Sequence, residues 1–151
     1  MNKDILKPII RTCIIIAAIF GLYLQIFVDG LHKLNFYTIW SNIAVMIFYI
    51  YCMTRKEDSE GLLRIKGGVV LGITLTFIVY NVLLLPVAKP ENVYTWKNYT
   101  LHYIVPVLCI LDCLIYDKVR YKWQDPLYWT IFPLFYAIFT LSLIHISEPT
   151  R

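Results

Sequence analysis

The chain has 151 residues, of which 59% are hydrophobic and 16% are charged, and its formal net charge is +4. A soluble domain is typically about 45–50% apolar and about 25% charged, so this composition argues against a soluble domain and indicates a membrane protein. Lysine and arginine lie in the segments between apolar runs and form no single basic stretch, which argues against a nucleic-acid partner.

Five apolar segments predict five transmembrane helices in a single all-α domain over 1–140. Each segment has about 16–21 residues, enough for roughly 24–31 Å of helix. The first segment is long and lacks a small-residue cleavage site, so it is predicted to be a retained span and not a signal peptide. The expected architecture is a polytopic helical bundle with spans at 8–28, 36–53, 67–86, 101–116 and 126–143.

The charged residues predict an orientation. Pro8 is expected in the first turn of the first span, and Arg11, about one turn further on, is expected to extend to the membrane interface. Segment 54–66 is predicted to be the most charged loop. One side of the membrane then carries ten lysines and arginines and the other side carries four, which places the N-terminus in the cytoplasm.

A polar stripe opens the second predicted span. Thr38, Ser41 and Asn42 share one helical face because they are spaced at i, i+3 and i+4. A polar group in lipid costs free energy unless it forms hydrogen bonds or has a functional role. This face is therefore predicted to point into the bundle. Ser41 and Asn42 are expected either to hydrogen-bond between helices or to line a pocket, whereas a membrane Thr such as Thr38 usually bonds a carbonyl or a neighbouring helix.

His102 lies at the start of the fourth predicted span, and Thr38 at the start of the second. These two spans run in the same direction, so the two side chains should lie at similar depth. A hydroxyl and an imidazole at matched depth are a candidate nucleophile and base. The alternative is a structural histidine near the interface.

Two further polar residues have open roles. Asp112 lies about 15 Å deeper than His102 on the same helix and therefore cannot orient it. It is expected either to make a buried structural contact, with Arg11 or with a hydroxyl, Tyr or Asn, or to belong to a proton or ion relay. Asn81 is a candidate to orient His102 or an oxyanion. No pattern indicates a metal or a cofactor, so none is expected.

Three stretches resemble a known family: Phe-Tyr-Thr-Ile-Trp-Ser-Asn-Ile at 36–43, Leu-His-Tyr-Ile-Val-Pro-Val-Leu at 101–108 and Leu-Asp-Cys-Leu at 111–114. The chain resembles the bacterial Pr-six-Pr membrane proteins, which are in turn similar to the eukaryotic androgen-induced multi-span hydrolases. In those hydrolases an intramembrane Thr and His cleave fatty-acid esters of hydroxy fatty acids. The resemblance therefore implies Thr38 and His102 as a catalytic pair in a bacterial plasma-membrane protein.

The chain departs from that pattern in two ways. The Ser41-Asn42 pair is missing from the eukaryotic context, and the family has one span more than the five predicted here. Segment 141–151 resembles a translated sequencing adapter, so it is expected to be a non-native tail in place of a final span. An ordinary short tail is the alternative.

The resulting hypothesis is an intramembrane hydrolase of lipid esters, with membrane lipids as its partners, Thr38 as nucleophile and His102 as base. No residue is identified as the oxyanion donor or as the group that orients His102. The alternative is a non-enzymatic membrane protein, either a small transporter or an assembly partner. In that case a polar path would be lined by Ser41, Asn42, Asn81 and Asp112.

Overall fold

A computed structural model describes residues 3–89 and 93–147, in which all regular secondary structure is helical and no strand is present. The predicted all-α class is therefore confirmed. The helices are α1 (Lys3–Tyr23, extended by a π-helical turn Leu24–Val28), α2 (Tyr37–Met53), α3 (Glu60–Val79, extended by a π-helical turn Tyr80–Leu84), α4 (Trp96–Tyr99, a π-helical turn Thr100–Ile104, then Val105–Tyr116) and α5 (Asp125–Trp129 and Ile131–Ser147).

Four helices in the described residues are long and apolar enough to cross a membrane: Ile5–Val28, Glu60–Val87, Trp96–Tyr116 and Asp125–Leu143. The predicted second span corresponds to α2, which is apolar but shorter, at 17 residues. At 1.5 Å per residue α2 is roughly 25 Å long, close to the thickness of a thin hydrocarbon layer.

Two predicted helix starts are wrong. The third helix begins at Glu60 and not at residue 67, because Ser59 caps it by accepting a hydrogen bond from the backbone N–H of Leu62 at 3.3 Å. The charged stretch expected to be a loop therefore contributes the first two turns of α3. Pro8 lies inside α1, which begins at Lys3, and does not open it.

The helices α1 to α4 form a bundle in which α1 packs on α2 and α4, while α3 packs on α2 and α4. Side chains with no exposed surface fill its centre: Ile14, Ala18, Val45, Tyr49, Ile73, Val105 and Cys109. The first segment of α5 packs on α3, where a Cβ on Gly67 would lie 2.4 Å from Trp129. Glycine there allows the indole to approach the backbone of α3.

The bundle has two ends, which we name after one residue at each. At the Thr38 end, α1 and α3 finish while α2 and α4 begin. The link from α1 to α2 at this end turns at Gly30, whose φ of 109° favours glycine. At the Asp58 end, α2 finishes and α3 begins.

A cluster of buried charges ties the helices together toward the Asp58 end. Lys66 Nζ lies 2.5 Å from Asp112 Oδ2 and 2.6 Å from Asp117 Oδ1, and Tyr49 donates a hydrogen bond to Asp112 at 3.1 Å. The expectation of a loop position for Lys66 is thus wrong, because its ammonium pairs with two carboxylates inside the bundle and its side chain has no exposed surface. Removing either partner of such a pair leaves an uncompensated charge.

Arg11 is likewise buried. It was expected to extend to the interface, but its guanidinium instead donates two hydrogen bonds to Asp58, at 2.5 and 3.1 Å. Its Nε lies 3.7 Å from Asp112 Oδ1, so the predicted pairing of Arg11 with Asp112 is present but long. Asp58 also forms an ion pair with Lys7, whose Nζ lies 2.8 Å from Asp58 Oδ2. Through Arg11 and Lys7, Asp58 connects the link after α2 to α1.

The segment predicted to be a non-native tail, 141–151, falls partly on α5, which continues to Ser147. Residues 148–151 lie outside the described residues.

Candidate functional site

A cavity of about 170 Å³ lies at the Thr38 end of the bundle, between the start of α2 and the ends of its neighbours. Thr38 and His102 both line it, so the structure brings the predicted nucleophile and base to one space. In the part of the chain that the structure describes, the lining consists of Gln25, Phe36, Thr38, Ile39, Tyr80, Leu84 and His102.

Three π-helical turns surround this cavity, one each in α1, α3 and α4. They supply Gln25, Tyr80 with Leu84, and His102, respectively. A π turn inserts one residue into the helical register and re-aims the side chains around it, and such turns occur frequently at functional sites. Most of the lining residues thus lie in segments whose backbone departs from the regular α-helix.

Two of these turns stand just before a proline. Pro86 follows Tyr80–Leu84, and Pro106 follows Thr100–Ile104. A proline has no N–H for the carbonyl four residues earlier, and its ring clashes with that carbonyl, so the preceding turn widens. The backbone N–H of Val105 accordingly bonds to the carbonyl of Thr100, five residues earlier.

The hydroxyl of Thr38 differs from those of other threonines in the bundle. Thr74, Thr76 and Thr100 each donate to the carbonyl four residues earlier. Thr38 is the second residue of α2, and the carbonyl four residues earlier, that of Leu34, accepts the indole N–H of Trp40 instead. Within the described residues the Thr38 hydroxyl makes no hydrogen bond and is half-buried beside the cavity.

Two polar side chains hold the backbone of Thr38. Ser41 Oγ and Asn42 Nδ2 donate to the Thr38 carbonyl at 3.1 and 2.8 Å. Ser41 Oγ also lies 2.7 Å from Thr76 Oγ1 on α3, where one of the two hydroxyls donates in place of its bond to a carbonyl, and Asn42 donates to the carbonyl of Leu101 on α4 at 3.4 Å. These bonds agree with the interhelical role predicted for Ser41 and Asn42, and they position Thr38 relative to α3 and α4.

The imidazole of His102 is held by a ring and not by a carboxylate. Tyr80 stacks on it with ring centroids 3.9 Å apart and an interplanar angle of 19°. Both side chains are more than nine-tenths buried. His102 Nδ1 and the Tyr80 hydroxyl have no hydrogen-bond partner in the part of the chain that the structure describes.

Unpartnered buried polar atoms are costly and rare, so two of them beside one cavity require an explanation. A ligand or substrate that donates to or accepts from them would supply it. Neither Tyr80 nor Gln25 was among the predicted site residues, because the register shift at a π turn leaves no signal in the hydrophobic period.

The remaining predicted residues are engaged outside this cavity. Asn81 accepts a hydrogen bond from the Tyr103 hydroxyl at 2.9 Å and donates to the Phe77 carbonyl at 2.8 Å. Asp112 belongs to the charge cluster with Lys66. Among the described residues, Asn81 and Asp112 thus share no partner with each other or with Ser41 and Asn42.

No protein-family model, curated protein or solved structure matches this chain. The fold and the site therefore define only a class: a bundle of apolar helices with a threonine and a histidine beside one cavity near its end.

Proposed function

We propose that this chain is an integral membrane protein with five spans and a cytoplasmic N-terminus, located in a bacterial plasma membrane. Four long apolar helices and the excess of lysine and arginine at the Asp58 end support this topology. The resemblance to the Pr-six-Pr proteins supports the bacterial origin. Within this topology the cavity faces the outer side.

We further propose that the protein hydrolyses lipid esters, with Thr38 as nucleophile and His102 as general base. The observation that carries this proposal is a threonine hydroxyl without a hydrogen bond beside the same cavity as a buried imidazole. A nucleophilic hydroxyl must be free of competing bonds and within reach of a base. The apolar exterior of the bundle allows acyl chains to enter from the bilayer.

In the first step Thr38 Oγ forms a bond to the ester carbonyl carbon while His102 takes the hydroxyl proton. The carbon–oxygen bond to the alcohol then breaks, and the alcohol leaves with the proton from His102. Water attacks the acyl-threonine with the same histidine as base. The fatty acid departs, and both side chains return to their starting protonation.

The developing oxyanion needs a hydrogen-bond donor, and the hydroxyl of Tyr80, a residue of the cavity lining, is the candidate. It is buried and lacks a partner among the described residues. Gln25, the other polar side chain of the lining, already donates to Asp29 at 3.2 Å. A donor that is free in the resting site is available when charge develops on the carbonyl oxygen.

The test uses the purified full chain in a mild detergent with a fluorophosphonate probe and a long-chain fatty-acid ester. We expect labelling and hydrolysis in the wild type and loss of both in Thr38→Ala and His102→Ala. The matched control is Thr74→Ala, because Thr74 is an intramembrane threonine whose hydroxyl bonds to its own helix. A wild type that is neither labelled nor hydrolytic would exclude the enzyme and favour the non-enzymatic alternative.

A further inference from the structure

A second, polar cleft lies at the Asp58 end, far from the Thr38 cavity, and we call it the basic cleft. Its volume is about 350 Å³, and it opens between the start of α1 and the end of α2. Its lining combines charged and apolar side chains: Lys7, Arg11, Arg55, Lys56, Asp58, Pro8, Cys52 and Met53.

Four cations and one carboxylate line the basic cleft, so three positive charges are left over. Asp58 is already engaged by Lys7 at 2.8 Å and by Arg11 at 2.5 Å. Asp112, the nearest other carboxylate to Arg11, is paired with Lys66 at 2.5 Å. The one carboxylate in the cleft lining is therefore engaged by Lys7 and Arg11, and Asp112 behind it is engaged by Lys66.

Arg55 and Lys56 remain without a carboxylate partner in the described residues. The Arg55 guanidinium is held over the ring of Tyr51, 4.7 Å from its centroid, and donates to the Tyr51 hydroxyl. This contact restricts the guanidinium and leaves other N–H groups free. A planar guanidinium beside an ammonium is a common arrangement for binding phosphate oxygens.

Apolar side chains next to the cleft are exposed. Met53 ends α2 and lines the cleft, and Ile5 and Ile9 lie on another face of α1 at the same end of the bundle. A phosphate that carries acyl chains would place its head in the cleft and its chains along these residues. Basic pockets between helices at the cytoplasmic side of membrane proteins bind such head groups.

We infer that the basic cleft binds a phosphate group, with Arg55 and Lys56 as its first contacts and Lys7 and Arg11 behind them. The exposed Met53 in the cleft lining, with further exposed apolar side chains on the same end of α1, favours the phosphate of an anionic phospholipid over a free phosphate ion. This inference is independent of the proposed hydrolase, because none of these residues lines the Thr38 cavity.

The experiment measures binding to the purified full chain in a neutral detergent, with phosphatidylglycerol, phosphatidylcholine and inorganic phosphate as three separate probes. The test variant is Arg55→Gln/Lys56→Gln, and its matched control is Lys118→Gln/Lys122→Gln, which removes two exposed cations between α4 and α5. All four residues are exposed, so both variants should fold, and thermal unfolding checks this.

We expect phosphatidylglycerol to bind more tightly than phosphatidylcholine. The test variant should weaken phosphatidylglycerol binding roughly thirtyfold, since each cation near an anionic head group contributes about 1 kcal/mol. The control should retain the wild-type affinity. If inorganic phosphate shows the same loss in the test variant, the phosphate site stands and the free ion is its source. Equal losses in both variants, or no loss with either anion, would overturn the inference.

Discussion

The ring of Tyr80 lies flat against the imidazole of His102, with centroids 3.9 Å apart. In the proposed hydrolase, this stack would take the place that a carboxylate often has in a nucleophile–base pair, since it fixes the plane of the imidazole without adding a charge. In an apolar bundle an unpaired carboxylate beside the cavity would be costly. The same residue carries a hydroxyl without a partner among the described residues, so Tyr80 is a candidate both to position His102 and to take part in the proposed chemistry.

The two roles of Tyr80 predict different results for two substitutions. Tyr80→Phe keeps the stacked ring but removes the hydroxyl, and loss of one oxyanion donor costs about a hundredfold or more in kcat. KM should change little. Tyr80→Ala removes the ring as well and should lower kcat further, because His102 is no longer held. Kinetics with a long-chain ester give both constants.

Tyr103→Phe is the matched control for Tyr80. Its hydroxyl donates to Asn81, and its ring meets that of Tyr80 edge to face. It does not line the cavity as the structure describes it. A wild-type kcat in Tyr80→Phe would exclude Tyr80 as the oxyanion donor of the proposed hydrolase without bearing on the proposed Thr38–His102 pair.

The Lys66 cluster predicts a large stability effect from a single substitution. Lys66→Met leaves Asp112 and Asp117 without their closest cation, and one uncompensated buried charge costs about 3–5 kcal/mol. Asp112→Asn should cost less, because Lys66 still pairs with Asp117. Unfolding in a mild detergent measures the free energies. Lys118→Met, at an exposed site, should have little effect, and an equal loss there would contradict the prediction.

Asp58 predicts a pH dependence of stability. Burial opposes its ionisation, but hydrogen bonds from Arg11 and Lys7 outweigh this and lower its pKa from 3.8 to about 2. A depressed carboxyl pKa stabilises the fold above the unfolded pKa, and this contribution is lost as pH falls through the folded pKa. The difference in unfolding free energy between wild type and Asp58→Asn should thus be constant above about pH 4 and shrink toward pH 2.

Glu57→Gln controls for the loss of one negative charge in the same link, because Glu57 is exposed. If the wild-type and Asp58→Asn stabilities already converge near neutral pH, the ion pairs of Asp58 do not hold the link in place.

Two glycines of α3 predict opposite results. Gly67→Ala places a Cβ against the indole of Trp129 and should destabilise the packing of α5 by about 1–3 kcal/mol. Gly61→Ala meets no atom within 4 Å and improves helix propensity, so it should be neutral or stabilising by up to about 1 kcal/mol. Thermal unfolding of the two variants tests this prediction. Equal unfolding midpoints would show that Trp129 moves away from the new Cβ without a loss of stability.

Long apolar runs determined the helical class, because a run of about 20 apolar residues has few stable alternatives to a helix. The location of Thr38 and His102 at the same end of the bundle also followed from the sequence, since two spans that run in the same direction begin on the same side. The interhelical bonds of Ser41 and Asn42 followed from their common face with Thr38.

Only the tertiary structure placed Lys66 inside the bundle, because its charge marks a loop until Asp112 and Asp117 are seen beside it. Only the structure joined Tyr80 to His102, since the π turns that aim them shift the register locally and leave the hydrophobic pattern unchanged. Helix formation depends on local composition, whereas pairing of charges and stacking of rings depend on which residues of distant segments meet.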